Sequence, residues 1–146
     1  MTLPSGSLSF GLGTTRLAGT QPSVTGSLNW SYQLPIATLA AQINRSITYT
    51  NANVEQLQTS VSLAYSQAIG ARSNLIVNAS YSLSDPAGAL NNTANTSLAA
   101  SYGLAVTPDW NLNVGYTRTM LDKDGIGKSD SNLVFVGLQR TFNLRP

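Results

Sequence analysis

The sequence predicts an all-β fold in which about eight antiparallel strands run up and down and close into a barrel that spans a membrane. Two observations predict it. Polar and apolar residues alternate in separate stretches of about ten residues. Short turns between these stretches alternate with longer polar links. A strand of about ten residues, tilted by about 40°, rises roughly 25 Å, the height of the apolar band of a membrane barrel.

The alternation is clearest in the stretch Ser23–Leu34. Val24 and Trp30 fall on one parity, whereas Thr25 and Asn29 fall on the other. Successive side chains of a strand point to opposite faces, so this stretch has one apolar and one polar side. The strands predicted in this way are Ser5–Arg16, Ser23–Leu34, Thr38–Thr50, Gln56–Gln67, Ser73–Leu83, Thr96–Val106, Trp110–Met120 and Asn132–Leu144.

The links between the predicted strands also follow a pattern. Residues 35–37, 68–72 and 107–109 form tight turns, whereas the links from Leu83 to Thr96 and from Met120 to Asn132 are longer, polar and contain glycine. Short turns on one side and longer loops on the other are typical of outer-membrane barrels. The length of 146 residues fits one domain, covering residues 1–146.

Composition excludes several functions. Charged residues make up 10% of the chain, against roughly 25% in soluble globular proteins. No apolar run reaches the about 20 residues of a membrane helix, so a membrane protein of this sequence requires strands. The net charge of +2 is too small and too scattered to suggest nucleic-acid binding.

Catalytic chemistry is also not expected. The chain has no histidine and no cysteine, and its six acidic residues lie outside the centres of the predicted strands. A serine or threonine nucleophile needs a base within hydrogen-bond reach, and the predicted wall supplies none. The Asp-rich stretch 122–130 contains two lysines and lacks a closing glutamate, so we interpret it as a solvated loop. We therefore predict no enzyme, no cofactor and no metal site.

The polar parity supplies the predicted lining of the lumen. Its side chains are small and uncharged, and small neutral groups leave space for water inside a narrow barrel. The predicted lumen residues are Thr25, Asn29, Ser31, Gln42, Asn44, Ser60, Ser62, Asn74, Asn78, Ser80, Ser101, Asn111, Asn113 and Thr117.

The apolar parity supplies the predicted lipid face. Amphipathic aromatic rings prefer the headgroup level, so two aromatic girdles are expected near the strand ends. The predicted girdle residues are Trp30, Tyr32, Tyr49, Tyr65, Tyr81, Trp110, Tyr116 and Phe142. Arg45 shares this parity near the middle of its strand, where an arginine costs roughly 2–4 kcal/mol. A small register offset, snorkelling, a contact between protomers or a bulge that turns it inward would each explain it.

The last strand carries a family resemblance. Residues 134–142, Val-Phe-Val-Gly-Leu-Gln-Arg-Thr-Phe, resemble the closing strand of bacterial outer-membrane β-barrel proteins, both small eight-stranded and porin-like ones. Residues 104–110 resemble the periplasmic turns of these proteins. The resemblance implies a bacterial outer-membrane location with both termini in the periplasm. It also implies insertion by the barrel-assembly machinery, which would read Gly137, Leu138 and Phe142 as its signal.

These observations predict a non-enzymatic barrel that acts as a passive narrow pore for water, ions or small solutes. The alternative is a structural or anchoring barrel, either the C-terminal domain of a longer protein or one part of an oligomeric or wider barrel. No signal peptide precedes Ser5, so we expect the chain to be mature or cut from something longer. The bilayer is the expected partner, and association of several copies stays open.

Overall fold

Eight antiparallel strands form a single sheet in the computed structural model, which describes residues 5–16, 22–49, 55–86 and 92–142. The strands are β1 Ser5–Thr15, β2 Ser23–Gln33, β3 Ala37–Tyr49, β4 Glu55–Ala68, β5 Ser73–Pro86, β6 Thr93–Ala105, β7 Trp110–Lys123 and β8 Gly127–Arg140. Each strand pairs with the next one along the chain, in the order β1 to β8. The predicted all-β, up-and-down antiparallel architecture is confirmed. No helix long and apolar enough to cross a membrane occurs within the described ranges.

The strand boundaries agree with the sequence prediction except at the β5–β6 and β7–β8 links and at the end of β8. β7 continues to Lys123 and β8 begins at Gly127, so the predicted long link from Met120 to Asn132 is wrong. The chain reverses at residues 124–126, where the amide of Ile126 donates to the carbonyl of Lys123 (3.0 Å). Gly125 and Gly127 have φ angles of 79° and 111°, which glycine adopts easily.

The link between the fifth and sixth strands is also shorter than predicted. β5 extends to Pro86 and β6 begins at Thr93. β8 ends at Arg140, so the predicted end of the last strand at Leu144 is wrong. The predicted end at Thr50 lies outside the described residues, and so do the links around residues 18–20 and 51–53.

The sheet is open, which differs from the predicted barrel. No pairing joins β1 to β8 among the described residues, so each of these strands has one unpaired edge. All residues of β8 are exposed, and so are all of β1 except Thr15. The isolated sheet also buries little: Ala37 and Leu57 are its buried hydrophobic residues within the described part of the chain. The hydrophobic residues of the strands therefore lie on an uncovered surface.

Candidate functional site

The pairing register separates polar and apolar side chains onto the two faces of the whole sheet. Directly opposed residues point to the same face, so a row of opposed residues can be followed from β1 to β8. One such row consists of Ser9, Asn29, Gln42, Ser62, Ser80, Ser97, Thr119 and Ser131. It is polar and uncharged at every strand. A slip of one residue in the first four pairings would have brought an apolar side chain into it.

We call the surface that contains this row the polar face. The structure places every predicted lumen residue on it, at positions given by the register. Lys123, at the hairpin end of β7, is the one charged residue among its described strand positions. Between the strand ends the polar face therefore offers hydroxyl and amide groups without formal charge.

Side chains on the polar face bond to one another but also leave space. Ser7 and Ser31 share a hydrogen bond between their hydroxyls (2.8 Å), and the amide of Asn44 donates to Ser46 (3.3 Å). A depression of about 300 Å³ lies beside Ser7 and Ser31, and serine, alanine and amide side chains line it together with Trp30. Water can enter a depression of this size that carries polar groups.

Two predicted lumen residues meet over a glycine near the short-turn end. Asn74 and Asn113 flank Gly103 in the register, and their side-chain oxygens lie where a β-carbon of Gly103 would stand. Asn111 and Gln139 line the same depression, of about 430 Å³. This amide cluster carries both hydrogen-bond donors and acceptors, so it can bind water or a neutral polar solute.

A second glycine on the polar face makes room for a ring that sequence reasoning missed. Phe135 of β8 points to the polar face, and its ring lies against Gly115, the residue opposite it on β7. Gly115 is buried as a result. The broken alternation at residues 133–136, four apolar residues in succession, was the signal for this ring.

The opposite surface, which we call the apolar face, carries the predicted aromatic girdles. Their strand positions share the parity of the leucines and valines, and Trp30 stacks on Tyr32 with ring centroids 6.3 Å apart. Phe142 lies just beyond the end of β8. Of Tyr49 the structure describes only the backbone pairing, with Glu55.

Arg45 lies on the apolar face, as its parity predicts. It pairs directly with Gly26 on β2 and with Thr59 on β4, so no bulge turns it inward. It lines a groove of about 430 Å³ together with Leu12 and Ile43. Since Gly26 has no side chain, the stem of Arg45 has room to lie along apolar neighbours while its guanidinium reaches a more polar level.

Charged side chains gather at the outer end of the β7–β8 hairpin. Arg118 pairs with Asp130 (3.6 Å) and Lys128 with Asp122 (3.0 Å). This end lies beyond the leucines and valines of β8. Here Lys128 donates a hydrogen bond to Asp122, and this bond and the charge of the carboxylate raise the pKa of Lys128. Asp122 and Asp130 thus have cationic partners, and the described residues contain no acidic cluster that could hold a metal ion.

The other end of this hairpin carries the residues of the predicted assembly signal. Arg140 lies over the rings of Trp110 (5.4 Å) and Phe142 (4.7 Å), so a cation is held between two aromatic rings. Gly137 and Leu138 lie on the edge strand β8, with the Leu138 side chain on the apolar face.

No protein-family model matches the chain, and no match was found among curated proteins or among solved structures. The resemblance of the last strand to outer-membrane barrels therefore stays a prediction. Function has to be argued from the two faces and the two open edges.

Proposed function

We propose that the sheet closes into a barrel in a bacterial outer membrane, with the apolar face toward lipid, and that the polar face lines a narrow passive pore. The observation that carries this proposal is the continuity of the apolar face across all eight strands. Water, ions and small neutral solutes are the substrates that suit an uncharged lumen. The bilayer is then the main partner of the chain.

The exposure of the apolar face supports a lipid environment. Phe10 is 74% and Leu12 82% exposed, and large apolar side chains of every strand are similarly uncovered. Removing one such side chain from water is worth about 1.5–3 kcal/mol. Exposed apolar patches of this extent are rare on soluble monomers. A bilayer would cover the whole face at once.

The position of the apolar residues within the rows supports closure with tilted strands. Phe10 shares a row with Val61 of β4, but the same row reaches Asp130 on β8. On the apolar face of β8, apolar residues begin only at Val134. The apolar band thus drifts across the rows from β4 to β8. A barrel requires such a stagger, because its strands tilt relative to its axis.

The drift also suggests the register of the closing pair. If Phe10 stands opposite Leu138, Leu12 faces Val136 and the apolar bands of β1 and β8 meet. This register gives a stagger of about eight residues, for which eight strands tilt by about 36°. β1 and β8 run in opposite directions, so the new pair is antiparallel like the other seven.

Disulfide formation tests this closure, because the chain has no cysteine of its own. In the proposed register Ser9 faces Gln139 inside the barrel, at a distance that a disulfide spans. We expect the double variant Ser9→Cys/Gln139→Cys to form an intramolecular bond in vesicles. The matched pair Ser9→Cys/Leu133→Cys, displaced by about 20 Å along the strand, should not. A bond in the second pair alone would contradict the register.

Conductance tests the pore. Protein refolded in detergent, with its mass in the micelle known, is inserted into a planar bilayer. Small steady openings from a monomer, with little preference between cations and anions, are expected from a lumen without charge. A folded, inserted monomer that gives no current and passes no small neutral solute in a liposome-swelling assay would contradict the pore and leave the anchoring barrel.

The two unpaired edges favour a second candidate, a wider barrel made of several copies. Long apolar edge strands readily pair with another chain. In that case the Ser9→Cys/Gln139→Cys variant would form disulfides between chains, and channel openings would come from oligomers only. Closure within one chain remains our proposal, because the drift of the apolar band already supplies the stagger of an eight-stranded barrel.

A further inference from the structure

We infer that Phe135 forms an apolar constriction in the lumen and thereby sets which solutes pass; this inference rests on the proposed pore. The polar face is hydrophilic over most of its area, so an aromatic ring on it is an exception. The ring lies against Gly115, and a side chain at Gly115 would collide with it. The two residues are thus complementary in size, as in other pairs in which an aromatic ring covers a strand glycine.

The row that contains Phe135 reaches a second apolar side chain three strands away. It runs from Phe135 through Gly115 and Ser101 to Ile76 of β5, the other apolar exception in the middle of the polar face. The ring leans over β7, which is the direction of Ile76. Leu133 adds an apolar side chain two residues away on the same side of β8. Apolar groups therefore gather on the β5–β8 part of an otherwise polar wall.

Closure would complete this arrangement around the ring. In the register that places Phe10 opposite Leu138, the residue of β1 opposite Phe135 is Gly13. The ring would then stand between two glycines, Gly115 and Gly13, with no side chain beside it on either neighbouring strand. An eight-stranded barrel has room for little more than its own side chains, so one projecting ring narrows it substantially.

The chemistry of the constriction selects against hydrated ions. A ring of apolar groups in a narrow pore excludes water unless the passing particle can shed its hydration cheaply. A small neutral solute does so at a lower cost than an ion. We therefore assign the lumen to small neutral polar molecules in preference to ions, with Phe135 as the residue that determines this specificity.

Replacing the ring tests the assignment. Phe135→Ala should raise the single-channel ion conductance at least about threefold, because the apolar barrier is removed. Phe135→Leu should give an intermediate value. Val136→Ala is the matched control: it lies next in the same strand but on the apolar face, so its conductance should equal that of the unmodified chain. Far-UV circular dichroism in vesicles would verify that each variant keeps its strands.

The outcomes separate the inference from the proposed pore. If the unmodified chain conducts and Phe135→Ala conducts equally well, the constriction is wrong and the pore stands. If the unmodified chain is silent and Phe135→Ala conducts, Phe135 seals the lumen against ions, as the inference requires. If both are silent while folded and inserted, the pore itself is contradicted, and the constriction with it. If Val136→Ala also raises the ion conductance threefold, the inference is wrong, since the effect would not depend on the ring of Phe135.

Discussion

The two faces of the sheet are built from the same strands, yet they handle charge in opposite ways. The polar face has one charged strand residue, Lys123, and otherwise carries mostly neutral hydroxyl and amide groups, with a few apolar side chains such as Phe135 and Ile76. The apolar face carries the ion pairs of the outer hairpin and the cation–π cluster of Arg140 at its margins, and Arg45 within its apolar region. The apolar face is thus apolar in the middle and charged at the borders.

This difference is what a bilayer would select. Charges and aromatic rings are favourable where hydrocarbon gives way to headgroups, and costly in between. A surface that bound another protein by hydrophobic contact would not need its charged residues confined to the ends of the strands. A water-filled lumen, in contrast, tolerates polar groups at any level. The comparison of the faces therefore yields predictions that differ for neighbouring residues of one strand.

The largest effect is expected from a charge in the middle of the apolar face. Val61→Arg should lower the free energy of unfolding in vesicles by roughly 2–4 kcal/mol, because the guanidinium would lie among lipid chains. Urea titration of vesicle-bound protein measures it. The matched variant Ser62→Arg places the same side chain one residue further on, on the polar face. It should unfold at nearly the same urea concentration as the unmodified chain and favour anions in conductance. Equal losses for the two variants would remove the distinction between the faces.

A smaller effect of opposite sign is expected at Arg45. Arg45→Leu should raise the free energy of unfolding by about 1–2 kcal/mol, because an apolar side chain replaces a charge in an apolar groove. The same urea titration applies. If Arg45→Leu destabilises the protein instead, Arg45 makes a favourable contact in the membrane, and association between copies becomes the first explanation to examine.

The smallest effect is expected at the border of the apolar face. Lys128→Ala removes one ion pair that is open to solvent, and such pairs contribute little. We expect no measurable change in the unfolding midpoint at either low or high salt. A clear loss of stability would place Lys128 and Asp122 in a less polar environment than the headgroup region.

Much of the fold could be predicted from the sequence, because strand alternation and turn residues are local signals. The strands β2 to β4 agree with the prediction within about two residues at each end. The prediction for the β7–β8 hairpin was wrong because the alternation continues there with charges. Asp122 and Lys128 replace apolar residues on the apolar face, while the backbone pairing continues to Lys123 and Gly127. A criterion based on apolar residues ends such strands too early.

The candidate site was only partly predictable. Parity alone placed the lumen residues on one face, since the ladder maintains parity in all seven pairings. Phe135 was missed because its role depends on which residue lies opposite. That register follows from the tight turn at residues 124–126, which the sequence prediction had placed within a longer link.

Quenching of the two tryptophans tests the orientation of the faces most directly, and it needs no substitution. Trp30 and Trp110 are the only tryptophans of the chain, and both lie on the apolar face. In vesicles of brominated lipid we predict strong quenching of their fluorescence by bromine near the headgroup level, and weak quenching by iodide in the water. Strong quenching by iodide together with little effect of the brominated lipid would contradict the account, because the apolar face would then not face the membrane.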